Sequence, residues 1–211
     1  MNSLVVGVLL ATCLNSAQTD LRGAEEAAPK APPRIEWPES KIEGTVFHRL
    51  SVAGFPIVLD HTSLEEARTR LGGVLGSAGD AGDAEEWMCF RGADTNGPWL
   101  FWLTSVEING RAIGGFIWKR DDSATAVEPD CLLLRGKNPI KLQLDLRLGT
   151  TKSRTLKLLG APSIVQEQGM FYMQEREETI EGIQYTISNG VEVTVHDGVV
   201  VQIAATETSS S

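Results

Sequence analysis

Asp60-His61-Thr62-Ser63 places a carboxylate, an imidazole and two hydroxyls in one short stretch, the groups a hydrolytic nucleophile and its base would use. Neighbours in sequence project apart, and Asp60, Thr62 and Ser63 are also residue types that cap helices. His196-Asp197 is a second acid–base pair, read as a polar-face histidine beside a turn aspartate. The stretch with Gly76, Gly79 and Gly82 carries Asp80, Asp83, Glu85 and Glu86, oxygen donors suited to calcium. Their spacing departs from an EF-hand loop, and a solvated acidic loop accounts for them. His48, His61 and His196 are far apart in sequence, and Cys-x-x-Cys, Gly-x-Ser-x-Gly and phosphate-cradling glycine motifs are all missing. The expectation is a non-catalytic chain with no catalytic residue, no metal and no cofactor. A hydrolytic enzyme of unrecognised type is the weaker alternative.

Cys89 and Cys131 lie in the strand-like segments Trp87-Met88-Cys89-Phe90 and Cys131-Leu132-Leu133-Leu134. Losing Cys13 with an export signal leaves these two, and an even remainder in an oxidising compartment reads as a disulfide. Two independent buried thiols are the alternative.

Two similar stretches must position whatever the chain binds. Residues 62–72 and 150–160 each read as a short helix closed by glycine, at Leu71-Gly72 and Leu159-Gly160. Ser63 with Glu66 forms a capping box, and Leu64, Ala67 and Leu71 make one apolar face. Strands are expected near 87–91, 98–108, 111–119 and 127–135 after the first helix, with an Asn109-Gly110 hairpin. After the second they are expected near 169–175, 179–187, 191–196 and 199–205. Leu142, Leu144, Leu146 and Leu148 alternate with polar residues as a strand entering the second helix. Three-residue loops at Ser188-Asn189-Gly190 and His196-Asp197-Gly198 would pair Val195 with Val199, Val193 with Val201 and Val191 with Ile203. The fold expected is α+β, with two tandem helix-plus-four-stranded antiparallel sheet repeats, at residues 42–136 and 137–206.

The chain has 211 residues, with 19 basic against 28 acidic side chains and a net charge of −9. That balance argues against nucleic acid and anionic membrane as partners and is compatible with a basic protein partner. Residues 1–17 read as a signal peptide, with an apolar run over 4–14 too short to span a bilayer. Leu10-Ala11-Thr12-Cys13 is also similar to a lipobox, so lipidation of Cys13 is the alternative to soluble export to the periplasm or exterior. Residues 18–41 hold Pro29, Pro32, Pro33 and Pro38 and read as a proline-rich linker, with Trp37 docking at its end. Residues 207–211 read as a disordered tail.

Leu148-Gly149-Thr150 with Leu159-Gly160-Ala161-Pro162, and Asn189-Gly190-Val191 with Asp197-Gly198-Val199, give the helix stop and turn pattern of a known fold. In this the chain resembles the tandem fold of β-lactamase inhibitory protein, and is similar to the small outer-membrane assembly lipoproteins of the SmpA/OmlA type. The resemblance implies an exported binding module, and carries over no family partner or inhibitory target.

Trp99-Leu100-Phe101-Trp102-Leu103 is an unbroken apolar run, and consecutive strand residues face opposite ways. Aromatic rings must therefore occupy both faces of the first sheet, and Phe116 and Trp118 extend one of them. The expectation is that at least two of Trp99, Phe101, Trp102, Phe116 and Trp118 are open to solvent and engage a protein partner. A lipid-anchored structural subunit of an envelope assembly is the alternative.

Overall fold

The structure, a computed structural model, describes residues 29–35, 47–80, 84–106, 111–121, 131–167, 169–180 and 182–210. The signal and lipidation readings at residues 1–17, the docking of Trp37 and the Asn109-Gly110 hairpin lie outside them.

Both short helices form where the capping chemistry places them. In α1 (Leu64–Leu71) the Glu66 N–H donates to Ser63 Oγ, and in α2 (Lys152–Leu159) the Arg154 N–H donates to Thr151 Oγ1. Each ends where Gly72 or Gly160 takes a positive φ (76° and 83°), a conformation that costs glycine little.

The rest is strand. β1 (Arg49–Val52), β2 (Phe55–Val58) and β8 (Ile140–Leu142) form a three-stranded sheet in the order β2-β1-β8. The other sheet has nine strands. Eight follow the order β3 (Leu75–Ala78), β4 (Glu85–Asp94), β5 (Gly97–Val106), β6 (Gly115–Arg120), β12 (Val199–Ser210), β11 (Ile183–His196), β10 (Gly169–Ile180) and β9 (Ile164–Gln166). The ninth, β7 (Leu132–Leu133), lies parallel to β4.

This overturns the expected α+β fold of tandem helix-plus-sheet repeats. Among the described residues the protein is mostly β, with two eight-residue helices, and no sheet belongs to one helix alone. The reason is the β6–β12 pairing, which fuses both strand groups through Phe116↔Ala205, Ile117↔Ala204 and Trp118↔Ile203. Of the strand expected over Leu142, Leu144, Leu146 and Leu148, only Leu142 lies in a strand, β8, which pairs with β1, and the other three follow it in turns and irregular backbone.

Three local readings are also corrected. Asn189-Gly190 is not a turn: β11 runs through it, with Gly190 opposite Met173 on β10 and Thr206 on β12. The β11–β12 loop is the two-residue Asp197-Gly198, with φ of 50° and 78°, so Val195 faces Val200 rather than Val199. A bulge beyond Thr194 then brings Ile203 opposite Val193, so Val191, Val193, Val200 and Ile203 are buried while Val199 is exposed. Residues 207–210, expected as a disordered tail, are the end of β12, and Glu207 is only 1% exposed.

One apolar core lies between the inner face of the large sheet and a cover made of the small sheet, both helices and the Leu146–Leu148 approach to α2. A second cluster lies on the outer face, made of Trp87, Cys89, Leu100, Trp102, Ile117, Cys131 and Ala204, with Ile35 packed against it.

Candidate functional site

Strand alternation sorts the aromatics. Trp99, Phe101, Phe116 and Trp118 point inward, with Phe101 and Phe116 stacked at 5.8 Å and Trp99 edge-on to Trp118 at 6.2 Å. Trp102 points outward beside Trp87. All five expected partner-binding residues are buried, the most exposed being Trp118 at 6%, so the expectation of an open aromatic face is corrected. The small sheet and helices fill the inner side more completely than one short helix would.

The outer side is covered by the chain's own proline-rich segment. The Trp87 indole N–H donates to the Pro29 carbonyl at 3.1 Å, and the Trp102 indole N–H donates to the Lys30 carbonyl at 2.8 Å. The segment makes no strand, and Ile35 adds an apolar contact further along. Part of the stretch expected to be a linker is thus a docked strap. Gly76 makes room for this arrangement. A Cβ there would lie 2.4 Å from Trp87 Cε2, so only glycine lets the indole lie across β3.

Cys89 and Cys131 are joined by a disulfide with Cα atoms 4.7 Å apart, and they sit in the same outer cluster. Cys89 is opposite Trp102 in the β4–β5 ladder, so the bond fixes the segment before β7 beside the strap-binding indoles. Across the sheet, the same outer row continues through Ile117, Ala204, Glu192 and Phe171. Burial pushes the Glu192 carboxyl above its usual range, with hydrogen bonds from Thr194 and Gln202 partly opposing the shift.

The acid–imidazole–hydroxyl stretch is dispersed. Asp60 accepts from Ser209 Oγ at 2.6 Å, and the His61 ring turns back to the Leu59 carbonyl at 3.1 Å. Thr62 Oγ1 accepts from the Val58 N–H, and Ser63 caps α1. His196 and Asp197 lie exposed at a turn, 3.5 Å apart. Glu85 and Glu86 belong to β4, with Arg111 3.5 Å from Glu86. Among the described residues, no three His, Cys, Asp or Glu side chains group as metal ligands.

Sequence reasoning missed one polar network. Buried Glu207 accepts from His48 Nδ1 at 2.8 and 2.9 Å and from Asn189 Nδ2. Arg176 donates to Asn189 Oδ1 at 2.8 Å and lies 3.9 Å from Glu207. A carboxylate accepting from Nδ1 leaves Nε2 as the basic nitrogen, the arrangement of an oriented general base. The network also clamps the approach to β1 onto β12, together with Asp60–Ser209, so it ties the two sheets together. No local pattern announces it, because His48 and Glu207 are 159 residues apart.

None of the described helices is long and apolar enough to cross a membrane. No protein-family model, curated protein or solved structure matches this chain.

Proposed function

We propose that this protein is an exported, non-catalytic binding module that engages a protein partner through the outer aromatic face of its large sheet. The observation that carries the reading is that this face already holds a polypeptide, through indole donors aimed at the Pro29 and Lys30 carbonyls. Indole N–H groups that read main-chain carbonyls suit recognition of an extended chain, because they make few demands on its side chains.

The test is a panel of extended peptides titrated against full-length Ile35→Asp, whose strap is weakened, with Trp102→Phe and Trp118→Phe compared in that background. Trp102→Phe removes a donor to the strap, whereas Trp118 faces the core. Peptide binding weakened by Trp102→Phe alone supports the reading. Binding that is indifferent to Trp102, or lost equally in both variants, contradicts it.

The His48–Glu207 pair favours a second reading, a hydrolytic enzyme. It predicts ester or peptide turnover that His48→Ala abolishes while the fold is retained. A lipid-anchored structural subunit draws on Leu10-Ala11-Thr12-Cys13, and intact mass of the mature protein distinguishes it by a diacylglyceryl group on Cys13.

A further inference from the structure

We propose that residues 29–35 are a resident pseudoligand, and that the groove at Trp87 and Trp102 takes a basic, proline-bearing, extended segment of a partner protein. This deepens the binding reading above and rests on it.

Backbone geometry selects the class. The two indoles, on adjacent strands, bind consecutive carbonyls, those of Pro29 and Lys30. In a β-strand consecutive carbonyls point in opposite directions, whereas a polyproline II helix, with three residues per turn, rotates each by about 120° from the last. Two donors on one sheet face therefore fit the second conformation better. The bound segment, Pro-Lys-Ala-Pro-Pro-Arg-Ile, has the composition that favours it. Proline also brings no N–H that would need a partner on an apolar floor of Trp87, Trp102, Ile117 and the disulfide.

Charge narrows the class further. The segment carries Lys30 and Arg34 and no acid, within a chain of net charge −9. Its Arg34 is exposed, so a cation there faces the field of an acidic protein.

The mode of attachment makes the occupant replaceable. The strap adds no strand to either sheet and crosses from β4 to β5 rather than extending an edge. Eleven residues separate Ile35 from Phe47 in sequence. Because strap and groove belong to one chain, an incoming segment must outcompete an internal rival rather than fill an open site. The apparent affinity for a partner is reduced by the fraction of time the strap is docked.

The test uses the full chain and the synthetic peptide Pro-Lys-Ala-Pro-Pro-Arg-Ile, with wild type and Ile35→Asp compared by indole N–H chemical shifts. Ile35→Asp weakens the strap and should raise the apparent peptide affinity about tenfold, the effect of freeing the competent state. Replacing the peptide's prolines by alanine, or its Lys and Arg by Glu, should weaken binding by at least about tenfold. If these altered peptides bind as well as the parent, the proposed class is wrong while the binding reading stands. If no peptide binds folded Ile35→Asp, both fail. Dimerisation of Ile35→Asp through exchanged straps would make a second copy the occupant and overturn the proposal.

Should Ile35→Asp not fold, a protease site inserted within residues 36–46 of the otherwise native chain allows cleavage after folding. Release of the cut segment on dilution is expected. Its retention through gel filtration would show a permanent part of the fold and overturn the proposal.

Discussion

Replacing Glu207 by alanine should destabilise the protein strongly, because its carboxylate is a buried acceptor shared by two strands and the approach to β1. The carboxylate is 1% exposed and accepts from His48 Nδ1 at 2.8 and 2.9 Å and from Asn189 Nδ2, with Arg176 Nη2 at 3.9 Å. Truncation leaves the Asn189 amide, itself 2% exposed, and the His48 Nδ1 donor without that acceptor, while Arg176 keeps Glu178 at 3.6 Å. Orphaning a buried amide costs about 1–3 kcal/mol and losing a hydrogen bond to a charged group about 1.5–3, which together give roughly 3–5 kcal/mol. For a chain of this size each kcal/mol shifts Tm by about 2–4 °C, so Glu207→Ala should melt roughly 6–20 °C lower. Glu207→Gln keeps an acceptor of the same shape and loses only the charge, so about 1–2 kcal/mol is expected. Urea unfolding followed by tryptophan fluorescence, with an unchanged m-value, measures both. If both variants fall within about 0.5 kcal/mol of wild type, like ordinary surface changes, the clamp between the sheets is not stabilising and the reasoning fails.

The disulfide closes a stretch of 42 residues, worth about 4 kcal/mol on the chain-entropy account, so Cys89→Ser with Cys131→Ser should lower Tm by roughly 8–16 °C. Ellman titration of unfolded, non-reduced protein should find neither of these two thiols free. Gly76→Ala should displace the Trp87 indole and weaken strap docking, read as faster exchange of the Trp87 indole proton with little change at Trp99. Burial raises the Glu192 carboxyl, so the folded state favours its neutral form and stability falls as pH rises through the folded pKa. Glu192→Gln should therefore stabilise the protein at pH 7, and an unchanged or lower Tm would count against that assignment. Tyr172 is pushed up to about 12 by burial, so its contribution is complete below the usual value of 10 and is lost as pH rises from there through about 12. Tyr172→Phe should flatten that alkaline decline in denaturation curves.

What the sequence made legible was chemistry completed within a few residues. Ser63 with Glu66 and the closing glycines at 72 and 160 mark the helices, because each of these caps is made by neighbours. The even count left once Cys13 is set aside pointed to Cys89–Cys131 without deciding between a bond and two buried thiols, and the 4.7 Å Cα separation decides it. What failed were properties set by distant partners. Asn189-Gly190 has turn composition, yet β10 and β12 flank it and keep β11 straight, while the Asn189 side chain serves Glu207. At Asp197-Gly198 a two-residue turn stands where three residues were expected, and the bulge beyond Thr194, which no local pattern marks, returns Val193 and Ile203 to one buried row. The aromatic run required both sheet faces to be occupied. The proline-rich segment that covers the outer face is 72 residues from Trp102, and only the glycine at position 76, opposite Trp87, hints that an indole must lie flat there.

The most direct test of the binding face is the pair of indole proton resonances of Trp87 and Trp102 in the native chain, assigned through Trp87→Phe and Trp102→Phe. Both should be protected from exchange by the strap and should shift together when a proline-bearing basic peptide is added, with Trp99 and Trp118 unmoved. If the Trp87 and Trp102 signals stay fixed at saturating peptide while the protein remains folded, the outer face is not a binding site.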